Sequence, residues 1–190
     1  MSPAIAIVAV SIMSFPDVGL AGLTLTALDR QAIERVAIAE AGDQSDVGVA
    51  GVISVILNRL RRGTFGSTAQ DVVNASGQFE PVARAGGDWR GLRAPSNAER
   101  VRVDTILNLI LAGAVHDVTN GALYFQNPSI VARRINAGVA RPELLGFGRA
   151  PPSAIIGQHA FFLEDRRRRP KSAAKGPEPI FFDTQTAGRP

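Results

Sequence analysis

The sequence of 190 residues contains no cysteine and only two histidines, His116 and His159. The absence of cysteine excludes disulfides, thiolate metal sites and a cysteine nucleophile. Two histidines are too few for a zinc site with three histidine ligands within one chain. The sequence also lacks a glycine-rich phosphate loop after a strand and a nucleophile elbow around a serine. We therefore expect no metal and no cofactor, and we expect any catalysis to be carried out by ordinary polar side chains.

No apolar run in the sequence reaches the roughly 20 residues that a transmembrane helix needs, so we expect no stable membrane span. The first 16 residues carry no charge, and residues 4–13 are nearly all apolar. No lysine or arginine precedes this run and no clear small-x-small cleavage site follows it, which disfavours a standard secretory signal. We interpret residues 1–26 as an N-terminal apolar arm, with a signal or a releasable membrane anchor as the alternative.

The positive charge of the chain is concentrated in one segment. The net charge is +4 and the pI about 10.6. Residues 163–175 hold six basic and two acidic side chains, which accounts for the whole surplus. The segment contains the run Arg166, Arg167, Arg168 and Arg169. We predict a basic, flexible tail over 166–190 that is attracted to an anionic cell envelope. The nearly neutral remainder disfavours the alternative of a nucleic-acid-binding protein without catalysis.

Hydrophobic periodicity predicts a mainly α-helical domain with a small antiparallel β element, an α+β architecture. The predicted helices cover 28–41, 47–62, 68–74, 96–112 and 129–137, and the extended segments cover 122–125 and 155–162. The second helix is apolar on nearly every side, which is typical of a central buried helix. Thr26 or Asp29 can cap the first helix and Asp46 the second, and Gly42 stands where a left-handed residue often ends a helix.

The first predicted helix carries one residue that does not fit its own pattern. Ile33, Val36 and Ala37 recur at helical spacing, and the next position on that face is Glu40. A buried carboxylate is costly unless it is paired or neutralised, and burial raises its pKa towards that of a useful proton donor. The pattern alone leaves two interpretations open: a catalytic acid, or a partly hydrated carboxylate at a helix end, paired with an arginine such as Arg59.

A carboxylic acid with a raised pKa suits the cleavage of a glycosidic bond, because it can protonate the leaving oxygen. Ordinary glycosidases need a second carboxylate nearby. The candidates are Asp43, Asp46, Glu80, Asp88 and Asp117. Spacing singles out none of them. A site with one carboxylate still works if the substrate supplies the nucleophile.

Ordered motifs along the chain carry a resemblance to a known family. They read AEAGD at 39–43 with GVAGVISVILNR at 48–59, QF at 78–79, GALYFQNP at 121–128 and IGQHAFF at 156–162. On these motifs, which span about residues 30 to 163, the chain resembles the SleB/CwlJ-type cell-wall hydrolase family, the spore-cortex-lytic type. It departs from the family at Asp43, which stands where members often have the longer glutamate.

The resemblance implies a lysozyme-like domain over 27–165, similar to the catalytic domains of lytic transglycosylases and goose-type lysozyme. It implies peptidoglycan glycan strands as substrate, cleaved between N-acetylmuramic acid and N-acetylglucosamine by a single catalytic glutamate, Glu40. In a lytic transglycosylase the C6 hydroxyl of muramic acid attacks; hydrolysis by water is the alternative. Such an enzyme acts outside the cytoplasm, and a tailed domain without a clear secretion signal favours a phage endolysin released through a holin.

The same motifs suggest a set of substrate-binding residues, each with a structural alternative. Gln78 carries an amide suited to an N-acetyl group, or caps its loop. Phe79 is a sugar platform or a core aromatic. Tyr124, the only tyrosine, positions the sugar or lies at the edge of the core. Asn127 contacts substrate or forms a turn before the proline that follows. His159 lines the site or is a structural histidine.

Overall fold

The computed structural model describes residues 20–163. The tail predicted over 166–190, and most of the arm predicted over 1–26, lie outside the described residues. The helices are α1 (Ala27–Ala41), α2 (Asp46–Arg62), α3 (Ala69–Asn74), α4 (Glu80–Arg84), α5 (Asn97–Leu111) and α6 (Pro128–Asn136). The strands are β1 (Tyr124–Gln126), β2 (Ala154–Ile156) and β3 (His159–Phe162), and short helical segments occur at Trp89–Gly91, Pro142–Leu144 and Gly146–Arg149. The predicted mainly helical fold with a small antiparallel sheet is confirmed.

Helix α2 is the centre of the fold, as its apolar sequence predicts. Every residue from Gly48 to Arg59 is buried, and α1, α3 and α5 pack around it. Gly51 is the point at which the sheet approaches this helix. A Cβ atom built there would lie 2.7 Å from Cζ of Phe161, closer than real Cβ contacts allow. The absence of a side chain at Gly51 therefore lets β3 pack directly against α2.

Local signals predict the helix starts correctly in most cases. Capping boxes form between Thr26 and Asp29, and likewise at the starts of α3 and α5. The prediction for α2 is wrong, because Ser45 takes the N-cap position. Asp46 is the first helical residue instead, and its carboxylate accepts a hydrogen bond from Nε of Arg102 at 2.7 Å.

The expectation of a left-handed residue at Gly42 is also wrong. Gly42 has φ −62° and ψ −26°, which is right-handed helical geometry. The carbonyl groups around the end of α1 are satisfied from a distant helix. Arg102 on α5 donates from Nη1 to the Gly42 carbonyl at 3.2 Å and from Nη2 to the Gln44 carbonyl at 2.7 Å. This tertiary cap removes the need for a left-handed turn.

The segment 155–162 is a hairpin and not the single strand predicted. A turn at Gly157, with φ +55°, separates β2 from β3. The strand order is β1-β3-β2, and both pairs are antiparallel. Pairing of Tyr124 with Phe162 confirms the predicted contact between the two extended segments. The predicted turn before β1 is confirmed too, since Asn120 and Gly121 both have positive φ.

Helix α6 follows β1 immediately and lies at the surface. Asn127 caps it, because its Oδ1 accepts from the Ile130 N–H at 3.2 Å. None of its residues is buried by the described part of the chain. Within residues 20–163, we find no helix with the length and apolar character needed to cross a membrane.

Candidate active site

A cleft of about 250 Å³ opens between the end of α1, the start of α4, β1 and α6. Its polar lining comes from Glu40, Gln78, Glu80, Gln126, Asn127 and Arg134, and its apolar lining from Phe125, Ile130 and Val131. Two carboxylates, three amides and one guanidinium thus share a small space. No group of three or more histidine, aspartate or glutamate side chains within residues 20–163 could hold a metal ion.

Glu40 lies in this cleft one residue before the end of α1. Burial, and after it the negative charge of Glu80, raise the pKa of its carboxyl from the ordinary 4.5 to about 7. The positive charges of Arg59 and Arg84 oppose this shift, as does a hydrogen bond from the Glu80 backbone N–H. Near pH 7, about half of the Glu40 carboxyls therefore carry the proton that an acid catalyst needs.

Glu80, the first residue of α4, behaves in the opposite way. Its Oε1 accepts hydrogen bonds from Arg134 at 2.6 Å and from Arg84 at 2.5 Å. The hydrogen bond from Arg134 and that from Arg84 lower the pKa of Glu80, although desolvation opposes them. The cleft therefore holds one carboxyl that keeps its proton up to about pH 7 and one that is ionised there. Environments that separate two carboxyl pKa values are typical of acid–base sites.

Arg59 lies behind the cleft as a buried cation. Its side chain is 2% exposed, and Nε donates to the Leu123 carbonyl at 2.7 Å. Its guanidinium lies over the rings of Phe65 and Phe79, 4.9 Å from each centroid. The positive charge of Arg59 lowers the pKa of Glu40, so Arg59 favours the ionised form of the carboxyl near the end of α1.

The structure brings Gln78 and Asn127 into the cleft with Glu40. Each side chain also makes a local structural contact, which was the alternative to substrate binding in the sequence analysis. Gln78 donates from Nε2 to the Ser76 carbonyl at 3.3 Å, within its own loop. Asn127 caps α6 and donates from Nδ2 to Oε1 of Gln158 at 3.0 Å. These contacts fix both amides at the edge of the cleft.

Phe79 and His159 lie behind the lining residue Phe125. Phe79 is 1% exposed in the core, with its ring centroid 6.2 Å from that of Phe125. His159 is also buried, 5.0 Å from Phe125 between ring centroids, and its Nδ1 lies 3.2 Å from Nε2 of Gln44. Burial lowers the pKa of His159, so its imidazole is neutral at pH 7. Both side chains therefore support the wall of the cleft from the inside.

Tyr124 is separated from the cleft lining and belongs to an aromatic cluster on β1. Its ring centroid lies 5.9 Å from that of Phe65 and 5.5 Å from that of Phe147. The guanidinium of Arg59 lies 5.7 Å from the Tyr124 ring centroid. Arg59 therefore contacts the ring of Tyr124 and also lowers the pKa of Glu40 through its positive charge.

Sequence reasoning left the second carboxylate undecided, and the structure places Glu80 in the same cleft as Glu40. Three of the other candidate carboxylates interact with groups outside the cleft lining. Asp46 pairs with Arg102, Asp88 pairs with Arg90, and Asp117 accepts hydrogen bonds from backbone N–H groups of its own loop. Sequence reasoning missed Arg134 altogether. The available signal for Glu80 was its position directly after the Gln78-Phe79 motif and before a proline, at the start of a helix.

Comparison with solved structures finds the same fold. The catalytic domain of the Bacillus cereus SleB protein is 23% identical, with a TM-score of 0.54, and the match covers 75% of this chain and 95% of that chain. The catalytic domain of the germination-specific lytic transglycosylase SleB from Bacillus anthracis is also 23% identical, with a TM-score of 0.53. That match covers 72% of this chain and 95% of that chain. No curated protein sequence gives a significant match.

A family model described as cell wall hydrolase matches residues 43–162, more than half of the chain. The match begins three residues after Glu40, so the role of Glu40 depends on the geometry of the cleft. The matched region contains α2, the whole sheet and most of the cleft lining. The resemblance found in the sequence motifs is thus confirmed, and the protein belongs to the cell wall hydrolase family, whose activity is the degradation of peptidoglycan.

Proposed function

We propose that this protein cleaves the glycosidic bond between N-acetylmuramic acid and N-acetylglucosamine in peptidoglycan, with Glu40 as the acid. The observation that carries this proposal is a cleft carboxyl whose pKa is about 7, raised by burial. A protonated Glu40 donates its proton to the glycosidic oxygen as the C1–O bond breaks and positive charge develops on the sugar. The amides of Gln78, Gln126 and Asn127 are suited to hydrogen bonds with N-acetyl groups.

In the second step the Glu40 carboxylate acts as a base. It removes the proton from the C6 hydroxyl of the muramic acid residue while O6 bonds to C1, which gives a 1,6-anhydro end and restores protonated Glu40. No water is consumed in this sequence. A pKa near neutrality favours a group that must first give and then take a proton, because neither direction is strongly uphill.

Hydrolysis of the same bond by water is the alternative, and one observation favours it. Glu80 supplies a second carboxylate in the same cleft, as glycosidases that use water require. Against it, Oε1 of Glu80 already accepts from two arginines, and its lowered pKa makes it a weak base. We therefore favour the lytic transglycosylase reaction with one glutamate.

The test is the product released from purified peptidoglycan sacculi, analysed by mass spectrometry. Wild-type protein is expected to release anhydro-muropeptides, and Glu40→Gln is expected to lose about 100- to 10,000-fold of that rate. The matched control is Glu34→Gln, because Glu34 is a buried carboxylate on the same helix outside the cleft lining. Reducing muramic ends would indicate hydrolysis. Equal activity of Glu40→Gln, or no product from the wild type, would refute the proposal.

Peptidoglycan lies outside the cytoplasm, so the protein acts there. A phage endolysin released through a holin stays a prediction from the sequence. So does the attraction of Arg166, Arg167, Arg168 and Arg169 to an anionic envelope.

A further inference from the structure

We propose that Glu80 is a positioning residue whose carboxylate, held at the cleft by Arg84 and Arg134, acts electrostatically on the neighbouring Glu40. The proposal rests on the acid role of Glu40 given above. In this proposal Glu80 does not contact the reacting atoms. Glu80 affects the reaction only through Glu40.

Backbone geometry fixes Glu80 next to the acid. Glu80 opens α4 and lines the same cleft as Glu40. Helices α1 and α4 are in contact, and the backbone N–H of Glu80 is close enough to the Glu40 carboxyl to lower its pKa slightly. The contact between α1 and α4 therefore places the Glu80 side chain in the same cleft as Glu40.

Two arginines from different elements hold the Glu80 side chain. Arg84 lies one turn further along α4, and such a pair alone would be weak because both side chains are exposed. Arg134 reaches Glu80 from α6, 54 residues further along the chain. Because both guanidinium groups donate to the same oxygen, Oε1, the carboxylate is restricted in orientation as well as in position.

The balance of charge around Glu40 explains why a fixed anion is needed. Arg59 from α2 and Arg84 from α4 both favour the ionised form of Glu40. Glu80 is the anion that opposes them. With Glu80 neutral, only burial would oppose the two cations, and Glu40 would give up its proton at lower pH. Because Glu80 is half exposed, solvent screening limits its effect to a roughly two- to fivefold change in the ionisation constant of Glu40.

The first experiment is the pH profile of muropeptide release by wild type and Glu80→Gln. The acid works when protonated, so activity falls as the pH rises through the pKa of Glu40. Removing the Glu80 charge lowers that pKa and should shift the alkaline limb down by about 0.3 to 0.7 pH units. An alkaline limb that does not move would overturn the proposal, whether or not the rate falls; a general base at Glu80 predicts a fall in rate at every pH without that movement.

Two further variants sharpen this comparison. Glu80→Asp keeps the charge and is expected to keep the alkaline limb near its wild-type position. Glu99→Gln is the matched control, because Glu99 is also paired with an arginine, Arg93, but lies outside the cleft lining. An equal shift in Glu99→Gln would show that the effect is not specific to Glu80.

The second experiment measures the Glu40 carboxyl directly and does not depend on activity. Carbon-13 NMR of the glutamate side chains gives its pKa, with the resonance assigned through Glu40→Gln. We expect a lower pKa in Glu80→Gln, and we expect high salt to move the wild-type value towards the variant. If the pKa shifts in an enzyme that cleaves no peptidoglycan, the proposed function fails and the coupling stands. An unchanged pKa refutes the coupling whatever the activity.

Discussion

Replacing Glu40 with glutamine should make the protein more stable at neutral pH while it removes the activity. Glutamine has nearly the shape of a protonated glutamate but cannot ionise. In the wild type, the folded protein must either keep the Glu40 proton or place a charge in a desolvated site. Glu40→Gln removes that requirement, so its effect on stability should depend on pH in a way that the wild-type pKa determines.

The sign follows from proton linkage. A carboxyl whose pKa is higher in the folded state binds its proton more tightly there. The stabilisation by that proton is fully present below the unfolded pKa near 4.5 and is lost as the pH rises through about 7. At about 1.4 kcal/mol for each pKa unit, the full shift corresponds to about 3 kcal/mol. Partial exposure and solvent screening reduce this to about 2 kcal/mol.

The measurement is the free energy of unfolding in urea at pH 4.5 and pH 8 for the wild type and Glu40→Gln. The two proteins should be about equally stable at pH 4.5, and the variant should be about 2 kcal/mol more stable at pH 8. A difference that is the same at both pH values would refute the reasoning, because it would show that the Glu40 carboxyl has an ordinary pKa in the folded protein. So would a variant less stable than the wild type at pH 8.

Two further predictions concern the core and the tail. Gly51→Ala should cost about 1 to 3 kcal/mol of unfolding free energy, because its Cβ would collide with the Phe161 ring; an unchanged urea midpoint would contradict the close approach of β3 to α2. Truncation after residue 165 should leave the unfolding transition unchanged and weaken binding to anionic vesicles at low salt. Loss of cooperative unfolding in the truncated protein would show that the predicted boundary at residue 166 is wrong.

Features that depend on a few neighbouring residues could be predicted from the sequence. The capping box between Thr26 and Asp29 is local, and so is the turn at Asn120 and Gly121. Glu40 was found for the same reason, because it interrupts a periodic apolar face of its own helix. The central burial of α2 follows from composition alone, since no face of this helix is polar enough to meet water.

Features created by distant contacts could not be predicted in this way. The geometry at Gly42 depends on Arg102, which reaches it from another helix 60 residues further along the chain. The selection of Glu80 among five carboxylates depends on Arg134 and on where α6 packs. The hairpin at Gly157 was missed because its short turn is embedded in an apolar motif that reads as one strand.

The surface position of α6 has a consequence for how the two walls of the cleft respond to thermal motion. Glu40 belongs to a helix packed on the core, where backbone amides exchange with solvent only through large-scale unfolding. Since the described part of the chain buries none of the residues of α6, the opposite wall can open locally at a much smaller free-energy cost.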